Sequence, residues 1–269
     1  MPISVPNKTW FDLLTQFTGL EVHSCESSQD PVLKIIGDTE VLVDGQSLRI
    51  FDDKAHMQVW LLLTISDVMV QRGALTLCHA ASFLYHEQAI LISGPPFSGK
   101  STWAFSANRP NLVVLGDDQI GVDINTGMFF GIPRPLKRRM PSRPDEIFLS
   151  SNALYTDLDG ESIALEPLGM MAQSRLECTY SASLIVQVRR HVGSGIRWSV
   201  PPAFEIKRNL LNELRCYHPD LLLQVAKTVR ILEQLPIISM SVGDGQTSQA
   251  LNKVLEIVDR NLAIKDATF

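Results

Sequence analysis

The chain has 269 residues, enough for one large domain or for one domain with a small accessory lobe. Hydrophobic residues make up 45% and charged residues 20%, which is typical of a globular protein with a buried core. The formal net charge of −5 argues against binding through bulk positive charge, so we expect neither nucleic acid nor a membrane as a partner.

Four cysteines are spread along the chain without C-x-x-C spacing, which predicts free thiols in a reducing compartment. The first residues lack a basic segment followed by a long apolar run, so we expect no secretory signal. The apolar runs are far shorter than the roughly 18 residues that suggest a membrane span. We therefore expect a cytoplasmic protein.

The first part of the chain predicts a small lobe. Residues 32–51 contain three short alternating segments, which indicate an antiparallel meander with a turn at Asp44 and Gly45. Residues 55–72 have apolar side chains near helical spacing, and a glycine follows them. The prediction is an N-terminal lobe over residues 1–73, made of short strands and one helix.

The next elements predict a hairpin that leads into a loop and a helix. Apolar segments at residues 74–85 and 88–93 are separated only by His86 and Glu87, which is the spacing of a tight hairpin. A loop with two glycines follows, and the predicted helix begins within STWAFSA, residues 101–107.

A second buried strand follows at residues 111–118 and ends in two aspartates. A hairpin is predicted around residues 125–127, Asn-Thr-Gly. The basic, proline-rich residues 133–144 predict a loop.

The remaining elements alternate between strands and helices. Strands are predicted at residues 182–188 and 196–200 with Arg189-Arg190-His191 at a hairpin end, then helix over 210–235 with Pro219 starting its second part, a strand at 236–243 and a helix at 246–262. Because there are no repeats and no long linker, we predict one α/β domain over residues 74–269.

The segment GPPFSGKS fits the Walker A pattern G-x-x-x-x-G-K-[ST], with Gly94, Gly99, Lys100 and Ser101 at the fixed positions. A strand precedes the motif and a helix follows it, as a phosphate-binding loop (P-loop) requires. The glycines let the backbone curl around phosphate, and the helix start supplies N–H donors. The alternative interpretation is a glycine turn with a solvated lysine.

Each residue of this loop has an expected role in binding nucleotide. Lys100 reaches the β and γ phosphates of ATP, and Ser101 is a ligand of Mg²⁺. Prolines at 95 and 96 have no N–H, so the donors must come from later residues. The candidate binding set is Gly94, Phe97, Ser98, Gly99, Lys100, Ser101 and Thr102.

Asp117 and Asp118 follow the strand after this loop, where an aspartate commonly helps to hold Mg²⁺. Two adjacent carboxylates allow one to serve the metal and the other to accept a proton from a hydroxyl nucleophile. The alternative interpretation is a turn, since Gly-Asp-Asp suits one. His79, in the preceding strand, either assists proton transfer or is an ordinary strand histidine.

The order of these motifs resembles the catalytic domain of HPr serine kinase/phosphorylase and its HPr-kinase-related relatives. His79, Gly94, Gly99, Lys100, Ser101, Asp117 and Asp118 carry the resemblance, which covers roughly residues 75–145. It implies an α/β fold with a P-loop core of the HPr kinase or PEP-carboxykinase-like type, here with a small N-terminal β-rich lobe. It also implies that Asp117 faces the substrate hydroxyl and that Asp118 holds the metal.

The basic segment PRPLKRR includes Arg134 and Lys137, which either clamp phosphates or an acidic substrate or belong to a solvated loop. The sequence thus predicts a kinase that uses ATP and Mg²⁺ to phosphorylate a serine-type hydroxyl on a protein, peptide or small molecule. The alternatives are a nucleotide-binding regulatory or assembly module and, more weakly, a switch-type NTPase. A homo-oligomer is left open.

Overall fold

The computed structural model describes residues 3–5, 14, 23–24, 33–52, 54, 57–58, 60–62, 75–107, 111–132, 134–139, 154–158, 161–166, 178–216 and 221–266. The strands in chain order are β1 (Ile3–Val5), β2 (His23–Ser24), β3 (Leu33–Ile36), β4 (Glu40–Val43), β5 (Gln46–Ile50), β6 (Leu75–Cys78), β7 (Ala81–Tyr85), β8 (Gln88–Ser93), β9 (Val113–Gly116), β10 (Ile120–Asp123), β11 (Phe129–Gly131), β12 (Leu136–Arg139), β13 (Leu154–Leu158), β14 (Glu161–Glu166), β15 (Thr179–Tyr180), β16 (Ala182–Arg190), β17 (Ile196–Ser199), β18 (Leu214–Cys216) and β19 (Ile237–Val242). The helices are α1 (Lys100–Ala107), α2 (Ala203–Asn212), α3 (Leu221–Glu233) and α4 (Thr247–Asp266).

The chain divides into two compact units, and the mixed α/β class predicted from the sequence is confirmed. The first unit comprises Met1–Met69 and Pro133–Ser174, and the second comprises Val70–Ile132 and Arg175–Phe269. The predicted domain division at residue 73 stays a prediction.

The described residues of the first unit form two sheets. Its five-stranded sheet has the order β2-β1-β3-β4-β5, and the antiparallel β3-β4-β5 part confirms the predicted meander. Asp44 and Gly45 form its turn with φ of 53° and 75°, the left-handed backbone of a two-residue hairpin. Lys54, Met57, Gln58 and 60–62 are helical, and the rest of the predicted helix at 55–72 lies outside the described residues.

The predicted loop over residues 133–144 is wrong where it is described. Residues 136–139 form β12, which lies at the edge of a three-stranded antiparallel sheet of order β12-β14-β13. An edge strand accepts basic residues and neighbouring prolines, because one of its sides makes no ladder hydrogen bonds. Composition alone therefore indicated a loop where pairing produces a strand.

The second unit is built on a six-stranded sheet of order β17-β19-β16-β8-β7-β9. The adjacent strands β19, β16 and β8 are parallel. Strand β7 pairs antiparallel with β8 through a turn at His86 and Glu87, which confirms that hairpin. Helix α1 contacts β7, β8, β9 and α4. The continuous apolar sequence of β8 follows from its burial, since Ala89, Ile90, Leu91 and Ile92 are all 2% exposed or less.

A five-stranded antiparallel sheet of order β15-β11-β10-β6-β18 completes the second unit. The predicted hairpin around residues 125–127 is confirmed as the turn between β10 and β11. One buried cluster joins the two sheets and includes Cys78, Leu84, Leu91, Leu115, Ile120, Phe129, Ile185 and Ile237. The core of this unit therefore lies between its sheets, and it fixes the ends of their strands relative to one another.

The predicted single strand over residues 74–85 is divided in the structure. Strand β6 pairs with β10 and β18, whereas β7 pairs with β8 and β9, so the chain passes from one sheet to the other at His79 and Ala80. The Ala80 N–H donates to Cys78 O at 2.9 Å, which turns the backbone at this point. Both halves are buried, so their apolar pattern gives no sign of the break.

Two further expectations for the C-terminal part are wrong. The helix predicted over 210–235 ends at Asn212 and resumes at Leu221, with strand β18 between. No hairpin joins β16 to β17, since both strands flank β19. The strand near residues 236–243 and the helix near 246–262 are confirmed as β19 and α4. Among the described residues, no helix is both long and apolar enough to cross a membrane.

Candidate functional site

Residues 94–99 connect the carboxyl end of β8 to the start of α1. Gly94 has φ of 154°, and a Cβ there would lie 2.4 Å from Val188 O and 2.7 Å from Ser98 Oγ. No other residue type fits this position without moving the backbone of β16. Phe97 has φ of 66° and is 75% exposed, so an aromatic residue is held in a rarely adopted conformation at the tip of the loop.

Lys100, the first residue of α1, folds back over the loop. It is only 7% exposed, and its Nζ donates hydrogen bonds to Gly94 O at 2.5 Å and to Pro95 O at 3.3 Å. Burial lowers the pKa of Lys100, while the negative charges of Glu213, Asp118 and Asp117, in that order, act in the opposite direction. The ammonium group is thus buried among carbonyl oxygens and within range of three carboxylates.

The loop backbone presents donors at the start of α1. The first N–H groups of a helix have no acceptor within the helix, and they carry the positive end of its dipole. The first of these groups here belong to Lys100 and its successors, while Trp103 N–H already donates to Gly99 O at 3.1 Å. Ser98 N–H donates to Pro95 O at 3.1 Å, so that predicted donor is engaged within the loop.

His79 and the aspartate pair are brought together by strand pairing. In the antiparallel pair β7–β9, Ser82 lies opposite Gly116, so the residues before β7 run beside those after β9. His79 Nδ1 lies 3.2 Å from Asp118 Oδ1, and their side chains are 23% and 38% exposed. The structure therefore joins two residues that the sequence places 39 positions apart.

The two aspartates differ in their exposure to solvent. Asp117 is only 2% exposed, whereas the side chain of Asp118 is 38% exposed and contacts His79. The negative charges of both carboxylates favour the protonated form of Lys100 and so act to raise its pKa. The pair therefore has one buried and one accessible carboxylate.

Glu213 was not among the predicted site residues. Its backbone oxygen accepts a hydrogen bond of 2.6 Å from His79 N–H, because Leu214 of β18 pairs with Cys78 of β6. Its negative charge acts more strongly on Lys100 than that of either aspartate. The residue lies in a stretch with a helical pattern, so no sequence signal showed that the helix ends there and that a strand returns to His79.

The predicted substrate residues Arg134 and Lys137 belong to the first unit, where Arg134 is 8% exposed and Lys137 is half-buried in β12. Their role in substrate binding stays a prediction. Thr102, a predicted binding residue, is exposed on α1, and its Oγ1 accepts a hydrogen bond of 3.2 Å from Arg190.

The residues present fit a magnesium ion that is bound together with phosphate. Ser101 is half-buried at the start of α1, and the aspartate pair adds carboxylate oxygens, the donors that Mg²⁺ prefers. Within the described part of the chain, no group of three or more His, Cys, Asp and Glu side chains is arranged to hold a metal alone. Magnesium that takes most of its ligands from phosphates and water needs no such group.

Comparison with known proteins leaves the family of this chain open. No protein-family model and no curated protein matches it. Among solved structures, the Hpr(Ser) kinase/phosphatase from Coxiella burnetii matches over 71% of this chain and 98% of its own, with 11% sequence identity and a TM-score of 0.32. A likeness at this TM-score supports neither a shared fold nor a shared activity. The HPr-kinase-like P-loop core stays a prediction.

Proposed function

We propose that the protein is an ATP-dependent phosphotransferase that moves the γ-phosphoryl group to a serine-type hydroxyl on a protein, peptide or small molecule. The observation that carries this proposal is the position of Lys100. It is the first residue of the helix after the glycine loop, and it interacts electrostatically with Glu213, Asp118 and Asp117. In this proposal the loop supplies N–H donors for the phosphates, and the carboxylates serve the acceptor hydroxyl and the metal.

In this proposal Lys100 exchanges its partners when nucleotide binds. Its Nζ leaves the carbonyl oxygens of Gly94 and Pro95 and donates instead to the β and γ phosphates, which are stronger acceptors because they are charged. The N–H groups at the start of α1, with the loop glycines, bind the remaining phosphate oxygens. Ser101 and one aspartate would hold Mg²⁺, which would neutralise part of the phosphate charge.

The exposures of the two aspartates favour a revised division of their roles. The resemblance implied Asp117 on the hydroxyl and Asp118 on the metal. Only Asp118 combines exposure with a neighbouring histidine, and an acceptor hydroxyl must reach its base from solvent. We therefore assign proton acceptance to Asp118, positioned by His79, and assign the buried Asp117 to the metal side of the phosphates.

The experiment that tests this proposal separates transfer from binding. Purified protein is incubated with γ-labelled ATP, Mg²⁺ and a cell lysate or metabolite pool, and nucleotide affinity is measured in parallel. Asp118→Asn should remove transfer, on the order of a 10²–10⁴-fold loss, while nucleotide binding is retained. Asp117→Asn should also weaken Mg²⁺-dependent binding. If both variants transfer phosphate at the wild-type rate, the kinase assignment fails.

A second candidate function is a nucleotide-binding regulatory or assembly module with little or no transfer. Two observations favour it: Pro95 and Pro96 remove two N–H donors from the loop, and Lys100 is bonded to the loop itself. The two functions differ in outcome, because the module binds Mg-ATP without labelling any acceptor and is indifferent to Asp118→Asn.

A further inference from the structure

A small cavity lies beside the glycine loop, at the carboxyl ends of β16 and β19. Its volume is about 80 Å³, and it is lined by loop residues including Ser98, by Arg190 at the end of β16, by Asp244 between β19 and α4, and by Thr247, the first residue of α4. Whole ligand sites are usually several hundred Å³. A cavity of this size has room for one ring-sized polar group and not for a whole nucleotide.

Two observations indicate that this cavity receives a ligand. Ser98 is 6% exposed, and within the described residues its Oγ has no hydrogen-bond partner, although a buried hydroxyl nearly always has one. Arg190 donates to Thr102 Oγ1 at 3.2 Å, and its Nε lies 3.0 Å from the place that a Cβ on Gly99 would take. That hydrogen bond uses one of the five guanidinium N–H groups of Arg190. The guanidinium group therefore forms the wall of the cavity that adjoins the phosphate loop.

The strand order tells which end of a nucleotide this cavity would receive. The aspartates follow β9, which lies on one side of β8, while β16 and β19 lie on the other side. In open α/β sheets, ligands lie outside the carboxyl ends of the parallel strands. A triphosphate with its γ group toward the aspartates must extend its sugar in the opposite direction, toward Arg190 and Asp244.

We propose that this cavity is the ribose subsite of the nucleotide, an inference that rests on the proposed nucleotide site. The Asp244 carboxylate accepts hydrogen bonds from the ribose hydroxyls, and a carboxylate at this place distinguishes ribose from its 2′-deoxy form. The Ser98 hydroxyl gains its missing partner from the sugar or from the adjoining phosphate oxygen. Arg190 donates to the phosphate next to the sugar.

The test compares Mg-ATP with Mg-tripolyphosphate, which has the phosphates and lacks the nucleoside. In calorimetric titrations of the full chain, Thr247→Phe fills the cavity and should weaken ATP binding by about tenfold or more, with tripolyphosphate binding unchanged. Ser248→Phe is the matched control, because Ser248 is next to Thr247 in the sequence but is exposed and does not line the cavity. It should bind both ligands as the wild type does.

A second variant keeps the test independent of any effect of Thr247→Phe on folding. Asp244 is exposed, and Asp244→Asn should remove a preference for ATP over 2′-deoxy-ATP that we expect to be about tenfold in the wild type. Equal losses of ATP and tripolyphosphate in Thr247→Phe, or no wild-type preference for ribose, would overturn the ribose subsite alone. A wild-type protein that binds neither ligand refutes the nucleotide site itself, and the subsite with it.

Discussion

Lys100 is the residue on which the proposed chemistry depends, and burial of its ammonium group costs solvation free energy. A buried ammonium group is tolerated only when it is hydrogen-bonded or paired. Here Gly94 O and Pro95 O provide the hydrogen bonds, and three carboxylates provide opposite charge at longer range. These carbonyl oxygens accept the hydrogen bonds that phosphate oxygens would accept in the complex. The lysine is therefore already oriented toward the loop before nucleotide binds.

The lowered pKa of Lys100 has a definite consequence for stability. Because the pKa of Lys100 in the folded state lies below its ordinary value of 10.5, the unfolded chain binds more protons between these two pKa values. The free energy of unfolding should therefore rise, relative to that of Lys100→Met, as the pH increases through this window. Urea unfolding of both proteins at a series of alkaline pH values measures the difference, in which other titrating groups cancel. Parallel curves would contradict it.

His79 is a positioning residue for Asp118 in the proposed reaction. His79→Ala should slow phosphoryl transfer by about 10- to 100-fold without changing nucleotide affinity, the usual cost of losing a group that orients a functional one. His86→Ala is the matched control, because His86 Nε2 also lies 3.2 Å from an aspartate, Asp259, at an exposed turn. Equal rates in the two variants would refute the role of His79.

At the scale of elements, the sequence predicted what local chemistry determines. Turns at Asp44-Gly45 and His86-Glu87 were visible because two-residue hairpins leave a short polar break between apolar segments. The division between β6 and β7 was not visible, because it depends on which sheet each half joins and both halves are buried. Strand β18 was missed for a related reason, since its pairing with β6 overrides a helical pattern.

The loop between β8 and α1 depends on glycine at position 94. Gly94→Ala combines positive φ with a clash of 2.4 Å against Val188 O, so it should destabilise the protein strongly and abolish Mg-ATP binding. Gly193→Ala is the control, since its φ is also positive at 101° but no atom lies within 4 Å of the added Cβ. Strain alone should cost it about 1–3 kcal/mol, with binding intact. Chemical denaturation and nucleotide titration distinguish the two, and equal behaviour would contradict this account.

At the scale of the whole molecule, the second unit gathers its chemistry at the ends of strands that are distant in sequence. Motif reasoning found His79, Lys100 and the aspartates, because each stands beside a recognisable strand or loop. It could not find Glu213 or the cavity at Arg190 and Asp244, because both exist only through the order β17-β19-β16-β8-β7-β9 and the pairing of β18 with β6. Neither pairing leaves a local sequence signal.

The central claim is that the loop at residues 94–101 binds Mg-nucleotide through Lys100, and thermal unfolding in rising Mg-ATP concentrations tests it most directly. A ligand that binds only the folded state stabilises it by RT ln(1 + [L]/Kd), about 2.7 kcal/mol at 100 times Kd. Wild type and the control Lys253→Met should show a Tm that rises with Mg-ATP, since the Lys253 side chain on α4 is 40% exposed and pairs with Glu256. Lys100→Met should show almost no rise. An equal rise in Lys100→Met and wild type would contradict the claim, as would no rise in either.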